Sequence, residues 1–209
     1  MMEIFDCDQN SPAWFDARKG LATASSFKKI LAKGEGKTRK SYMNQLAAEI
    51  ITGEPMENFT TPAMARGHAM EDEARDYFSF LMDVEPVRVG FIRNGRKGCS
   101  PDSLIDQTDL LEIKTQRGDL LIETIIKDDV PSEHRAQIQG QLWIAEREVC
   151  HLLVYWPAMP PFIKAVRRDE KFISELSRAV SIFNEELDAL VERIRSYGGH
   201  DPIGKEAAA

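Results

Sequence analysis

Asp102, Glu112 and Lys114 are the residues of this chain whose types and spacing could do chemistry. Glu112-Ile113-Lys114 lies inside an apolar run, residues 110–115. Side chains alternate faces along a strand, so Glu112 and Lys114 point the same way and Ile113 points into the core. A carboxylate and an ammonium on one face of an apolar strand need each other or a ligand. Asp102 follows Pro101 and is separated from Glu112 by the polar turn Asp106-Gln107-Thr108-Asp109, so a hairpin brings the two carboxylates close. Two carboxylates beside a lysine suit metal-assisted phosphodiester hydrolysis: the carboxylates hold Mg²⁺, and the lysine supports the attacking water or the developing charge. The Asp/Glu-x-Lys pattern itself is common, and Glu35-Gly36-Lys37 and Asp169-Glu170-Lys171 lie in loop and helix-start contexts. On these residues alone, a strand ion pair and a nuclease site are equally good readings.

The elements that must position these residues follow from periodicity. Thr23 or Ser25 caps a helix carrying Phe27, Ile30 and Leu31, ended by Gly34 and Gly36. A second helix, 38–51, carries Tyr42, Leu46 and Ile50, with Gly53 after it. A third starts at Thr61-Pro62 and carries Met70, Ala74, Phe78 and Leu81, with Glu71 beside that face. Val87, Val89 and Phe91 alternate as a strand, and the hairpin with Asp102 and Glu112 follows. A short helix is expected within 117–129. Another opens at Pro131-Ser132, with Ile138, Leu142 and Ala145 on its apolar side and Gln137 and Gln141 one turn apart. Strands are expected at 149–156 and 162–166, and a long helix at 169–197. Helices before and after a run of strands give an α/β fold, a sandwich built on a central mixed β-sheet flanked by helices. Residues 1–198 read as a single domain, and 199–209 as a disordered tail.

Bulk properties narrow the class. A chain of 209 residues, 43% hydrophobic and 29% charged, reads as one soluble globular domain. No apolar run approaches a membrane span, and the N-terminus does not read as a signal peptide. Cys7, Cys99 and Cys150 suit free thiols in a reducing cytoplasm and show no zinc spacing. The net charge of −7 disfavours a general nucleic-acid coat, but the charge is unevenly spread. Residues 18–40 hold eight Lys/Arg and one acid, whereas 169–192 hold seven acids against Lys171 and Arg178. The basic segment suits phosphate, and the acidic helix suits solvent or a partner.

Three further segments join C-S-P-D and L-E-I-K. They are Arg66-Gly67-His68-Ala69-Met70-Glu71-Asp72-Glu73-Ala74-Arg75, Ala136-Gln137-Ile138-Gln139-Gly140-Gln141-Leu142-Trp143, and Trp14-Phe15-Asp16-Ala17-Arg18-Lys19-Gly20 followed by Thr23-Ala24-Ser25. In this order, from about Trp14 to the last helix, the five resemble the lambda exonuclease family of phage recombination nucleases, in the restriction-endonuclease-like superfamily. One departure is Ser103, where glycine is common after the aspartate.

The resemblance implies that Asp102 bridges two Mg²⁺ ions, with Mn²⁺ able to substitute. It implies that Glu112 and the Ile113 carbonyl bind one of them, and that Glu71, selected over Asp72 and Glu73 by the Arg66-Gly67 context, is an additional ligand. Lys114 would orient or deprotonate the water, and Gln137 would hydrogen-bond the water or Lys114. Arg18, Ser25 and Ser100 would take a 5′-phosphate, and Met64 would be a wedge at the DNA end. The implied activity is 5′→3′ digestion of one strand of double-stranded DNA to mononucleotides, leaving 3′ tails for recombination. The implied assembly is a homotrimeric ring with a single-strand annealing protein as partner, in the cytoplasm of a bacterial host. The alternatives are an endonuclease of the same superfamily and a non-catalytic module that binds DNA ends.

Overall fold

A computed structural model describes residues 1–32, 36–56 and 62–197, with residues 62–64 described by backbone alone. The expected tail at 199–209 and the glycine at 34 lie outside the described residues. The chain opens with β1 (Met2–Phe5) and α1 (Pro12–Arg18). Pro12 sits at the first helical position, and the Ser11 hydroxyl caps the helix by accepting from Trp14 N–H at 3.2 Å. A short strand, β2 (Ala22–Thr23), leads into a 3-10 turn at Ala24–Ser26 and α2 (Phe27–Ile30). The expected hydroxyl cap is not made here: Thr23 holds the cap position without a side-chain bond to the backbone. Its hydroxyl faces Arg18 and Ser25 instead.

Helix α3 (Lys37–Thr52) buries Tyr42, Met43, Leu46 and Ala47 and ends at Gly53, whose φ of 74° is the left-handed conformation that favours glycine. Helix α4 (Pro62–Met82) follows. The alternation at Val87, Val89 and Phe91 does not make one strand. Val87 forms only an isolated bridge to Leu104, and β3 spans Phe91–Asn94. Pro86 and Gly90 on either side of Val87 and Val89 explain the break, since neither sustains a ladder. Strand β4 is Lys97–Cys99.

The hairpin is β5 (Ser103–Ile105) and β6 (Asp109–Thr115), turned at Asp106 with φ of 50°. Helices α5 (Gly118–Lys127) and α6 (Ser132–Ile144) cross over to β7 (Val149–Tyr155), which runs parallel to β6, as a parallel pair requires. Strand β8 (Phe162–Arg167) returns antiparallel, and α7 (Glu170–Tyr197) closes the chain.

The strands form two four-stranded sheets, ordered β1-β3-β4-β2 and β5-β6-β7-β8. The second is the expected mixed sheet. One core packs Phe27, Leu110, Ile138, Leu142, Leu152 and Phe183 between sheet and helices α2, α6 and α7. On the other face, Ala74 and Phe78 of α4 pack on Leu111, Ile113 and Leu153. Along β6 the faces therefore alternate: Leu111 and Ile113 look to α4, while Leu110 and Glu112 look to α6.

Gly140 lets α6 approach. A Cβ there would lie 2.5 Å from the Phe27 ring and 3.2 Å from Ala24. No described helix is long and apolar enough to cross a membrane.

Candidate active site

Asp102 immediately precedes β5 and is bound to the opposite strand twice. Its N–H donates to Leu111 O at 3.1 Å, and its Oδ2 accepts from Ile113 N–H at 2.5 Å. The hairpin therefore fixes this carboxyl beside the Glu112-Ile113-Lys114 segment. Glu112 is 2% exposed and receives three donors. Lys114 Nζ and Gln137 Nε2 each lie 2.5 Å from Oε1, and Gln141 Nε2 lies 2.5 Å from Oε2.

Gln137, expected on Lys114 or a water, donates its amide N–H to Glu112. Gln141 is not among the expected site residues. Its spacing places it beside Gln137, but the sequence does not say that this face of α6 meets β6. Among the described residues, Gln141 Oε1 is buried without a hydrogen-bond partner. Flipping the amide would set its oxygen against the Glu112 carboxylate, so the chemistry of the pair fixes this orientation.

The acids of α4 separate cleanly. Glu71 lies beside Asp102 and 3.3 Å from His68 Nδ1. Asp72 instead pairs with Arg75 at 2.8 Å and with Arg88, and Glu73 accepts from Tyr155 O–H at 2.6 Å. His68 is exposed and also contacts Asn10 at 3.2 Å.

Burial, followed by the charges of Glu112 and Glu71, pushes the Asp102 carboxyl well above its ordinary value. Burial also pushes Glu71 up, but hydrogen bonds from Asp102 and His68 and the nearby His68 and Arg75 carry it below the usual carboxylate range. Burial works to lower Lys114, yet Glu112 and Asp102 hold it above the ordinary lysine value, so it stays an ammonium.

A cleft of 390 Å³ joins this centre to the N-terminal segment; its lining includes Arg18, Ser25, Ser100, Asp102, Glu112 and Lys114. Arg18 Nη2 is 3.5 Å from Thr23 Oγ1, and Thr23 Oγ1 is 3.4 Å from Ser25 Oγ. Trp14 is buried, and its indole N–H donates to Ser100 Oγ at 2.8 Å. The Arg18 guanidinium lies 4.1 Å above its ring centroid. The Met64 side chain lies outside the described residues.

The donor chemistry suits a hard divalent cation. Three carboxyls, Glu71, Asp102 and Glu112, stand near one lysine, and the crowding of like charge that raises Asp102 is what a cation would relieve. The carboxyls meet in pairs and not as a closed cage: among the described residues no group of three His, Cys, Asp or Glu is gathered around one point. Lys114, Gln137 and Gln141 occupy Glu112, while Glu71 stands beside Asp102.

Comparison with known proteins adds a family and a fold. The YqaJ-like viral recombinase domain matches residues 13–148. The chain is similar to LHK-Exo, an alkaline exonuclease from Laribacter hongkongensis, whose structure has also been solved in complex with dAMP. The two are 30% identical, with 90% of this chain and 98% of that chain covered at a TM-score of 0.83. A phage related exonuclease from Haemophilus somnus 129PT is 14% identical, covers 83% of this chain and 96% of its own, and has a TM-score of 0.66, a likeness of fold. No curated protein matches the chain.

Proposed function

This chain belongs to the YqaJ-like viral recombinase family and has the restriction-endonuclease-like fold, and from that premise we propose that it is a Mg²⁺-dependent 5′→3′ exonuclease of double-stranded DNA ends. The observation that carries the proposal is the single cleft in which Asp102, Glu112 and Lys114 lie together with Arg18, Ser25 and Ser100. One end of that cleft suits a cleaved diester and the other suits a terminal phosphate.

Glu71, Asp102, Glu112 and the Ile113 carbonyl would hold the metal, two ions in this reading, with Mn²⁺ as a substitute. Bound there, the cation supplies Lewis acidity toward the phosphate and a more acidic water. The chain's own groups do the rest. Lys114, kept charged by Glu112 and Asp102, holds a positive charge where the phosphate develops negative charge. Gln137 and Gln141 fix the Glu112 carboxylate from both sides. Arg18 presents a planar set of donors to a terminal 5′-phosphate, with the Ser25 and Ser100 hydroxyls beside it.

Release of mononucleotides leaves a 3′ single-stranded tail, the substrate of a single-strand annealing protein, and a homotrimeric ring would keep the protein on its DNA. Met64 at the start of α4 would part the terminal base pairs. The site of action is the cytoplasm of a bacterial host.

The test uses linear duplexes with 5′-phosphate or 5′-hydroxyl ends beside a closed circle, in Mg²⁺ and in chelator. The expected result is Mg²⁺-dependent release of mononucleotides from the phosphorylated linear duplex, with the circle intact. Nicked or linearised circles would instead identify an endonuclease, and binding without cleavage a DNA-end module.

A further inference from the structure

Arg75 lies one turn after Glu71 on α4 and is 8% exposed, so almost all of its charge is met inside the protein. Its Nε donates to Ser103 Oγ at 2.9 Å, its Nη2 to the Asp102 carbonyl at 3.4 Å, and its Nη1 to Asp72 Oδ1 at 2.8 Å. Ser103 is wholly buried, and its hydroxyl donates in turn to the Asp102 carbonyl at 2.6 Å. Asp72 is held a second time by Arg88.

The guanidinium therefore bridges two elements that are far apart in sequence. One carries Glu71, and the other carries Asp102. No other side-chain donor among the described residues ties α4 to the start of β5 in this way. The Arg75 contacts do not involve the Glu71 or Asp102 carboxylates, so they persist whether or not an ion is bound.

We propose that Arg75 and Ser103 form a clamp that sets the spacing of the Glu71 and Asp102 carboxyls, acting as positioning residues for divalent-cation binding. The proposal rests on the reading of Asp102 as a metal ligand. A rigid fork of donors suits this role. Three of its N–H groups reach three separate oxygens, and lysine, with a point charge on a flexible stem, could not hold the same set. Partners that orient ligands in this indirect way typically change metal affinity or activity by about 10–100-fold when removed.

The test measures Mn²⁺ binding to the full chain without DNA, from the loss of the free-ion paramagnetic resonance signal. Thermal melting in chelator is followed in parallel. Variants are Ser103→Ala, Arg75→Lys and the double variant, with Asp102→Asn as control. The expected result is that Ser103→Ala and Arg75→Lys each weaken Mn²⁺ binding about 10-fold or more while the protein remains folded at the assay temperature. The double variant should be no weaker than Arg75→Lys alone, because both act through one contact. If Arg75→Lys fails to fold, Ser103→Ala decides. Lower melting temperatures with unchanged Mn²⁺ binding would reduce the clamp to a fold contact and overturn the proposal. If Asp102→Asn binds Mn²⁺ as the unaltered protein does, the reading of Asp102 as a ligand fails instead.

Discussion

Glu112 is almost wholly buried and meets three donors, so each donor should register in the rate. Lys114→Ala should keep DNA binding and lose about 10²–10³ in kcat, the usual effect of removing a group that stabilises transition-state charge. Gln141→Leu, close in volume, leaves Glu112 Oε2 without its donor and should lower kcat by about 10-fold or more, with DNA affinity unchanged. Single-turnover rates and equilibrium DNA binding separate the two effects; a Gln141→Leu protein with the unaltered rate would make that glutamine a packing residue.

Asp102 adds a pH dependence. Its folded value is raised above the ordinary 3.8, so between these limits the folded protein holds a proton that the unfolded chain releases. The contribution of Asp102 to the stability of the metal-free protein is then fully present below about pH 4 and is lost as pH rises through the folded value. A cation displaces the same proton, so its affinity should rise with pH across that window. Melting in chelator at stepped pH, for the unaltered protein and Asp102→Asn, checks the sign: the variant should lack this part of the slope. Asp102, Glu112 and Lys114 are legible in the sequence because a charged pair stands in an apolar strand. Gln141 and the Arg75 contacts are not, since each depends on which helix face meets which strand.

At the level of elements, α6 must press on the turn at Ala24–Ser26 to bring its glutamines to β6, and Gly140 makes that approach possible. Gly140→Ala would place a methyl group against the Phe27 ring and Ala24, a contact that forces α6 to shift. Overpacking of this kind destabilises by about 1–3 kcal/mol. Because the shift also moves Gln137 and Gln141, activity at a temperature where the protein is folded should fall as well. A variant that melts lower but cuts at the unaltered rate would separate α6 packing from Glu112 placement.

Helices and strands with clean periodicity are readable: α3, α4, α6, α7 and the β5–β6 hairpin lie close to where the apolar spacing puts them. The segment 87–91 misleads because alternation of Val87, Val89 and Phe91 signals a strand only where a neighbour can pair, and Pro86 and Gly90 deny it one. The split into two sheets is not legible, because strand partners such as β1 with β3 are distant in sequence.

Over the whole molecule, the uneven charge has a structural use as well as a functional one. Arg39 of the basic segment pairs with Glu186 of the acidic last helix, and Arg96 pairs with Asp188. Part of the basic patch is therefore spent within the fold, while Arg18 and Lys29 line the cleft. Arg18→Ala should lower the preference for 5′-phosphorylated over 5′-hydroxyl ends by about 10–100-fold, since a charge-assisted bond contributes about 1.5–3 kcal/mol. Initial rates on the two ends measure it, and an unchanged ratio would move the phosphate pocket elsewhere.

On the proposed reading the pocket and the carboxyls share one cleft, so end recognition and cutting would occur at one place and would give mononucleotide products and polarity together. The most direct test follows one strand of a 5′-phosphorylated linear duplex labelled at its 5′ end, or at its 3′ end, in Mg²⁺. The prediction is early release of the 5′ label as a mononucleotide, with the 3′ label released only late, and neither released by Asp102→Asn. Early loss of the 3′ label, or 5′-labelled oligonucleotides from internal cuts, would contradict the account.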